Sequence, residues 1–158
     1  MWYNLSMGND RNDSNNISNV DRLEISQIAD RYQLDLILWF GSYAKGISQP
    51  NSDLDVAVHT NRPDAVRDPE REAFWEMALF EDLNAAFKAP NGIDLLILNR
   101  ADSTLLYEVA KNGILIYQRN EHTFHQFRSY AARRFDDDAK FRRLGWEYLK
   151  RRCLDGCR

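Results

Sequence analysis

Three aspartates and one Gly-Ser pair stand where this chain could do chemistry. Gly41-Ser42 is followed by ten residues and then by Asp53-Leu54-Asp55. Asp53 and Asp55 open a run, residues 53–59, that reads as a β-strand. Strand alternation puts both carboxylates on one face, with Cα atoms about 6.5 Å apart. Two carboxylates that close repel unless a cation sits between them. Mg²⁺ suits such a pair, because it takes one or two carboxylates together with substrate phosphate oxygens. Two such ions, about 3.5–4 Å apart, clamp the attacking and leaving oxygens of an in-line displacement. Asp53 and Asp55 are therefore candidate metal ligands and candidate catalytic residues.

Gly41-Ser42 supplies the other half of that chemistry. It sits where an apolar run, residues 35–40, gives way to a turn entering a short helix. Backbone N–H groups point outward at such a junction, and a helix dipole favours an anion there. Gly41 lets a phosphate approach the backbone, and the Ser42 hydroxyl can donate to a phosphate oxygen. Ser52, just before Asp53, belongs to the same pattern. Lys45 lies on the same loop and reads either as a neutraliser of triphosphate charge or as a solvated lysine. Tyr43 reads either as a wall for the nucleotide or as packing beside the turn. Asp94 interrupts a third apolar run, residues 93–98, one residue from its start. If that strand neighbours the Asp53–Asp55 strand, its carboxylate joins the cluster. There it can ligate the second metal and accept the proton of an acceptor hydroxyl. Alone, it reads as a strand-end aspartate bonded to the preceding turn. At roughly 5–7% usage per residue type, Gly-Ser-x10-Asp-x-Asp arises by chance in about two per thousand chains of this length.

The run Gly41-Ser42-Tyr43-Ala44-Lys45-Gly46 with Asn51-Ser52-Asp53-Leu54-Asp55 resembles the minimal nucleotidyltransferases of the DNA polymerase β superfamily. The resemblance extends over about residues 23–117. It includes residues 105–117, similar to the C-terminal helix and strand of those proteins. It implies a polymerase-β-like palm that moves a nucleoside monophosphate from ATP, with Mg²⁺, onto a hydroxyl. Small members of the group are antitoxins of HEPN/MNT toxin–antitoxin pairs. The resemblance therefore implies a HEPN-type ribonuclease toxin as partner, silenced by adenylylation of a tyrosine. Lys45 departs from the arginine common in the group, which keeps the charge and loses the bidentate fork.

The elements that must position these residues follow from the pattern. A helix is expected from Val20, capped by Asn19 or Asp21. Strands are expected at 35–40, 53–59, 93–98 and 114–117. A long helix is expected over 69–88, with an apolar stripe of Phe74, Met77, Phe80, Leu83 and Phe87. Another should run from an Asp102 or Ser103 cap to Gly113. Residues 122–152 read as helix, broken near Asp136–Asp138. The link between the first two strands is too short for a crossover helix, so the sheet should be mixed, not all parallel. The fold class is α/β or α+β: about four strands flanked by helices. The expected divisions are a flexible leader at 1–19, a nucleotidyltransferase domain at 20–118, and a C-terminal helical extension at 119–158 packed on it.

Composition bounds the remaining possibilities. The 158 residues are 44% hydrophobic and 12% aromatic, as in a globular protein. No apolar run nears the ~20 residues of a bilayer span, and no signal-peptide pattern opens the chain. Two cysteines, Cys153 and Cys157, make no disulfide framework and fit a cytoplasmic protein. His122-x-x-His125 lies 28 residues from Cys153, a poor arrangement for zinc. His59 reads as a surface histidine. From Arg119 onward 11 Lys/Arg face 6 Asp/Glu, a net +5, while the remainder carries 10 against 18, a net −8. The basic segment interleaves Phe124, Phe127, Tyr130, Phe135, Phe141, Trp146 and Tyr148 with arginines. Three readings stay open for it: a helix closing the core, a protein-partner face, or a stacking surface for single-stranded nucleic acid. The overall charge of −3 does not announce a nucleic-acid binder, and direct nucleic-acid binding is not expected.

Three functions stay in play. The first is adenylylation of a protein toxin. The second keeps the chemistry with a different acceptor, a small molecule such as an aminoglycoside or an RNA 3′ end. The third is an antitoxin that neutralises its partner by binding alone.

Overall fold

A computed structural model describes residues 21–47, 49, 51–62 and 69–155. The leader expected at 1–19 lies outside the described residues, as do Cys157 and the loop at 63–68. Among the described residues there are six α-helices, one 3₁₀ turn and four strands.

Helix α1 (Arg22–Arg31) starts where Asp21 accepts from the backbone N–H groups of Leu23 and Glu24. It buries Ile25, Ile28 and Ala29. Strand β1 (Leu34–Trp39) follows, then the four-residue helix α2 (Gly41–Ala44) and strand β2 (Leu54–Thr60). Helix α3 (Pro69–Phe87) crosses over to β3 (Ile93–Ile97), which ends in the 3₁₀ turn Leu98–Arg100. Helix α4 (Ser103–Asn112) is capped by Asp102, whose carboxylate accepts from Thr104 and Leu105 N–H. Strand β4 (Ile114–Gln118), α5 (Thr123–Asp137) and α6 (Ala139–Asp155) complete the chain. The break between α5 and α6 falls at Asp138.

The sheet order is β3-β2-β1-β4. β1 pairs antiparallel with both β2 and β4, and β2 pairs parallel with β3. The sheet is thus mixed, as the short β1–β2 link requires. Only the β2–β3 connection carries a long helix, and only that pair is parallel.

Two buried clusters sit on the two faces of this sheet. One joins Ile37, Trp39, Leu54, Val56 and Val58 to α1 and α3. The other joins Leu36, Leu38 and Ala57 to Leu106, Val109 and Ala110 of α4 and Phe127 and Ala131 of α5. Arg31 and Tyr32 both bond Asp82, at 2.7 and 2.8 Å, and clip α1 to α3.

Helix α3 corrects one expectation. Leu79, Leu83 and Ala86 are its fully buried residues, with Trp75, Ala78 and Phe87 beside them. Phe74 and Met77, expected in the stripe, are exposed at 68% and 54%, and Phe80 at 38%. Apolar residues occur all round α3, so the sequence alone leaves its phase open. Packing on the sheet chooses the side that carries Leu79 and Leu83 one turn apart.

Candidate active site

The candidate carboxylates meet where β1 ends and β2 and β3 begin. Along β2 the side chains alternate. Leu54, Val56 and Val58 point into the α1/α3 cluster, and Ala57 points into the α4/α5 cluster. Asp55 therefore shares a face with Ala57, and Asp53, two residues earlier, lies on the same side. The parallel ladder pairs Leu54 with Ile93 and Asp55 with Asp94. Neighbouring strands lie about 4.8 Å apart. Asp94 is therefore the lateral neighbour of Asp55, the condition the sequence reading set for it to join the cluster.

Gly41 closes the corner. Its φ is +64°, a conformation that favours glycine. A Cβ there would lie 2.5 Å from the Asp55 Cγ. The glycine is thus required by the carboxylate packed against it, a reason the motif alone does not reveal. The Phe40 N–H bonds the Asp55 carbonyl at 3.0 Å and fixes the turn to β2.

The charge environment of Asp55 reflects this geometry. Partial burial pushes its carboxyl above the ordinary aspartate value. The Ser42 backbone amide opposes the rise, while Asp94 and then Asp53 add to it.

Three details of the phosphate loop bear on what it can do. Helix α2 has only four residues, so its dipole is small and individual loop amides must serve. Lys45 Nζ lies 2.8 Å from Glu108 Oε1 of α4. That contact holds the Glu108 carboxyl below its usual value. The Ser52 Oγ accepts from the Gln49 N–H at 3.0 Å, which shapes the turn before Asp53. Glu108 was not singled out in the sequence, because nothing local marks it as a partner of Lys45, 63 positions away. Tyr43 packs against the α1/α3 cluster. It lines a cavity of about 270 Å³ with Trp39, Leu54 and Phe87, on the face opposite Asp55.

A hard divalent cation fits this donor chemistry. Asp53, Asp55 and Asp94 share one face, and among the described residues none forms an ion pair with a basic side chain. Among the same residues, no group of three or more His, Cys, Asp or Glu is closed enough to hold a metal as it stands. His122 and His125 are exposed on the chain's surface. No described helix is long and apolar enough to cross a membrane.

Comparisons with known proteins identify the family and the fold. The family model "Polymerase beta, Nucleotidyltransferase" matches residues 24–122. Among curated proteins, none matches the chain in sequence. A toxin–antitoxin crystal structure with AMP-PNP is similar at 21% identity and TM-score 0.62, covering 82% of this chain and 98% of that one. A tri-AMPylated HEPN toxin in complex with an MNT antitoxin, from Shewanella oneidensis, is similar at 18% identity and TM-score 0.58, covering 87% and 98%. An MntA–HpeT toxin–antitoxin mutant, with two aspartates two positions apart replaced by glutamate, gives 19% identity and TM-score 0.61, covering 82% and 98%.

Proposed function

The chain belongs to the polymerase beta nucleotidyltransferase family, and from that premise we propose that it transfers AMP from ATP to a tyrosine hydroxyl of a HEPN ribonuclease toxin. On this reading it is a cytoplasmic antitoxin that acts by covalent modification. The observation that carries it is the in-register pairing of Asp55 with Asp94, with Gly41 packed on Asp55.

Asp53, Asp55 and Asp94 are the residues that would hold Mg²⁺, up to two ions. Bound there, the metal neutralises triphosphate charge and lowers the cost of the developing negative charge. Gly41 and Ser42 form the wall against which the triphosphate lies, with backbone amides and the Ser42 hydroxyl as donors. Lys45 adds positive charge once it leaves Glu108. Asp94 lies on the edge strand β3, and on this reading its carboxylate takes the proton of the acceptor hydroxyl. The hydroxyl oxygen bonds the α-phosphorus, the α–β bridging P–O bond breaks, and pyrophosphate departs.

The protein acceptor draws support from the AMP-PNP and AMPylated-toxin complexes that share this fold. The paired substitution in the MntA–HpeT mutant has the spacing of Asp53 and Asp55. The test mixes the protein, ATP, Mg²⁺ and the toxin encoded beside it, then weighs the intact toxin. A gain of one or more AMP units is expected, and Asp53→Asn should abolish it. No gain, or an equal gain with Asp53→Asn, rejects catalysis. Full toxin neutralisation by Asp53→Asn would show an antitoxin that works by contact.

A further inference from the structure

A groove follows helix α5, bounded first by strand β4 and then by helix α4. Two cavities make it up, of about 380 and 390 Å³. His125 and Arg128 line both, so the two meet at these side chains. The groove belongs to one edge of the sheet, at β4, while β3 with Asp94 is the opposite edge. Three strand spacings, about 14 Å in all, separate the two edges. This is a different place from the carboxylate cluster.

The two halves differ in chemistry. The first is apolar, walled by Ile114, Leu115 and Phe124. Ile114 and Leu115 are only half-buried, because β4 pairs with β1 alone. The second half is polar and basic. On α5, His125, Arg128, Ser129 and Ala132 recur at i, i+3, i+4 and i+7, which puts them on one face. On α4, Tyr107, Ala110 and Lys111 do the same at i, i+3 and i+4. Ala110 and Ala132 are small, and the space between the helices stays open where they lie. The Tyr107 ring is held by stacking on Phe135, with centroids 4.4 Å apart and planes 17° apart.

Lys111 and Arg128 are the charged side chains that line the groove, and no carboxylate lines either half. Among the described residues Arg128 forms no ion pair. Its guanidinium lies over the Phe124 ring, 5.8 Å from the centroid, where the two halves join. Glu108, three residues before Lys111, feels the Lys111 charge but is already engaged. Its carboxylate lies 2.8 Å from Lys45 Nζ and accepts from Asn112 Nδ2 at 2.9 Å. Glu121, two residues before α5, and Asp136, one turn beyond Ala132, line neither cavity. The Ser129 hydroxyl donates to the His125 carbonyl at 3.0 Å. Arg128, Lys111, His125 and Tyr107 therefore carry the donors of the groove.

We propose that this groove binds an amphiphilic carboxylate, a small molecule with an acidic head and an aliphatic or single-ring body. The body occupies the half walled by Ile114, Leu115 and Phe124. The carboxylate lies between Arg128 and Lys111. Arginine suits that head, because its planar fork matches a carboxylate bidentately. Burial of the body drives binding, and the basic pair sets the orientation. The proposal is independent of the nucleotidyl-transfer reading.

The test titrates the full-length protein with octanoate and follows its backbone amide resonances by NMR. Octanoate should bind saturably at millimolar concentration and move the resonances of Leu115, Phe124, Arg128 and Ala132. Acetate carries the head without the body, and 1-octanol the body without the head. Each should bind at least about tenfold more weakly than octanoate. Arg128→Gln should weaken octanoate binding about tenfold and leave 1-octanol binding unchanged. Arg128 is exposed, so circular dichroism and melting of that variant should match the parent. Ala132→Leu, which fills the second cavity, should also weaken octanoate binding. An absence of saturable octanoate binding overturns the proposal. So does 1-octanol binding as tightly as octanoate, or an Arg128→Gln protein that keeps the parent's affinity for octanoate. Shifts confined to Tyr43 and Phe87, beside the other cavity, place the ligand there and equally overturn it.

Discussion

The two faces of the central sheet are built from the same strands and do different work. One is closed: Leu54, Val56 and Val58 of β2 vanish under α1 and α3. The other is closed only in part. There α4 and α5 cover Ala57 and its neighbours, while Asp53 and Asp94 remain exposed and Asp55 half-buried. A period of two along β2 thus separates stability from chemistry residue by residue. Groups that repel one another can persist on the open side because the closed side holds the strands in register.

The sharpest way to break this comparison is to neutralise the open face. Asp55→Asn should cut nucleotidyl transfer by about 10²–10³-fold or more, the scale of losing one preorganised electrostatic group. Its melting temperature should hold or rise, since the substitution removes a carboxylate crowded by Asp94 and Asp53. Leu83→Ala on the closed side should do the reverse. It should cost about 2–5 kcal/mol in denaturant unfolding, with activity per folded molecule retained. A large activity loss from Leu83→Ala, at temperatures where it is folded, would mean that the two faces are not separable.

Gly41→Ala tests the hinge between them. Its positive φ and the nearby Asp55 Cγ predict a stability loss of about 1–3 kcal/mol together with loss of activity. A smaller effect is expected at the Lys45–Glu108 pair. Glu108→Gln should free Lys45 and lower the KM for ATP a few-fold in low salt, while Lys45→Ala should raise it. Equal KM values for all three proteins would remove Lys45 from nucleotide binding.

The smallest expected effect lies at the far end of β2. Burial holds the His59 imidazole below its ordinary value of 6.5, opposed by Asp35, whose carboxylate lies 3.6 Å away. Arg119 also bonds Asp35, at 3.3 Å, and Tyr130 and Arg134 line the cavity beside His59. A base with a lowered folded pKa binds its proton less readily than in the unfolded chain. Stability is therefore full above pH 6.5 and falls as acid protonates the unfolded state first. Thermal melts between pH 7 and 5 should show a slightly shallower fall for His59→Gln than for the parent. An identical slope would mean that His59 protonates as freely folded as unfolded.

Much of this was legible along the chain. The elements, their order and the mixed sheet followed from apolar periodicity, turn residues and one short connection. Asp102 and Asp21 were readable as caps because capping is local chemistry. The phase of α3 was not, since Phe74 and Met77 look as core-like as Leu79 and Leu83. Nor was the Lys45–Glu108 pair, which joins elements 63 positions apart.

The sequence by itself determined the chemistry on offer: Asp53-x-Asp55 on one strand face, Gly41-Ser42 ten residues before it, and Asp94 on another strand. Those facts rest on alternation and turn geometry, which act over a few residues. Only the tertiary structure decided that Asp94 lies beside Asp55, that Gly41 is glycine because a carboxylate occupies its Cβ position, and which side of α3 faces outward. Each depends on strand pairing or packing between distant segments, and burial on a sheet selects among faces that local sequence leaves equivalent.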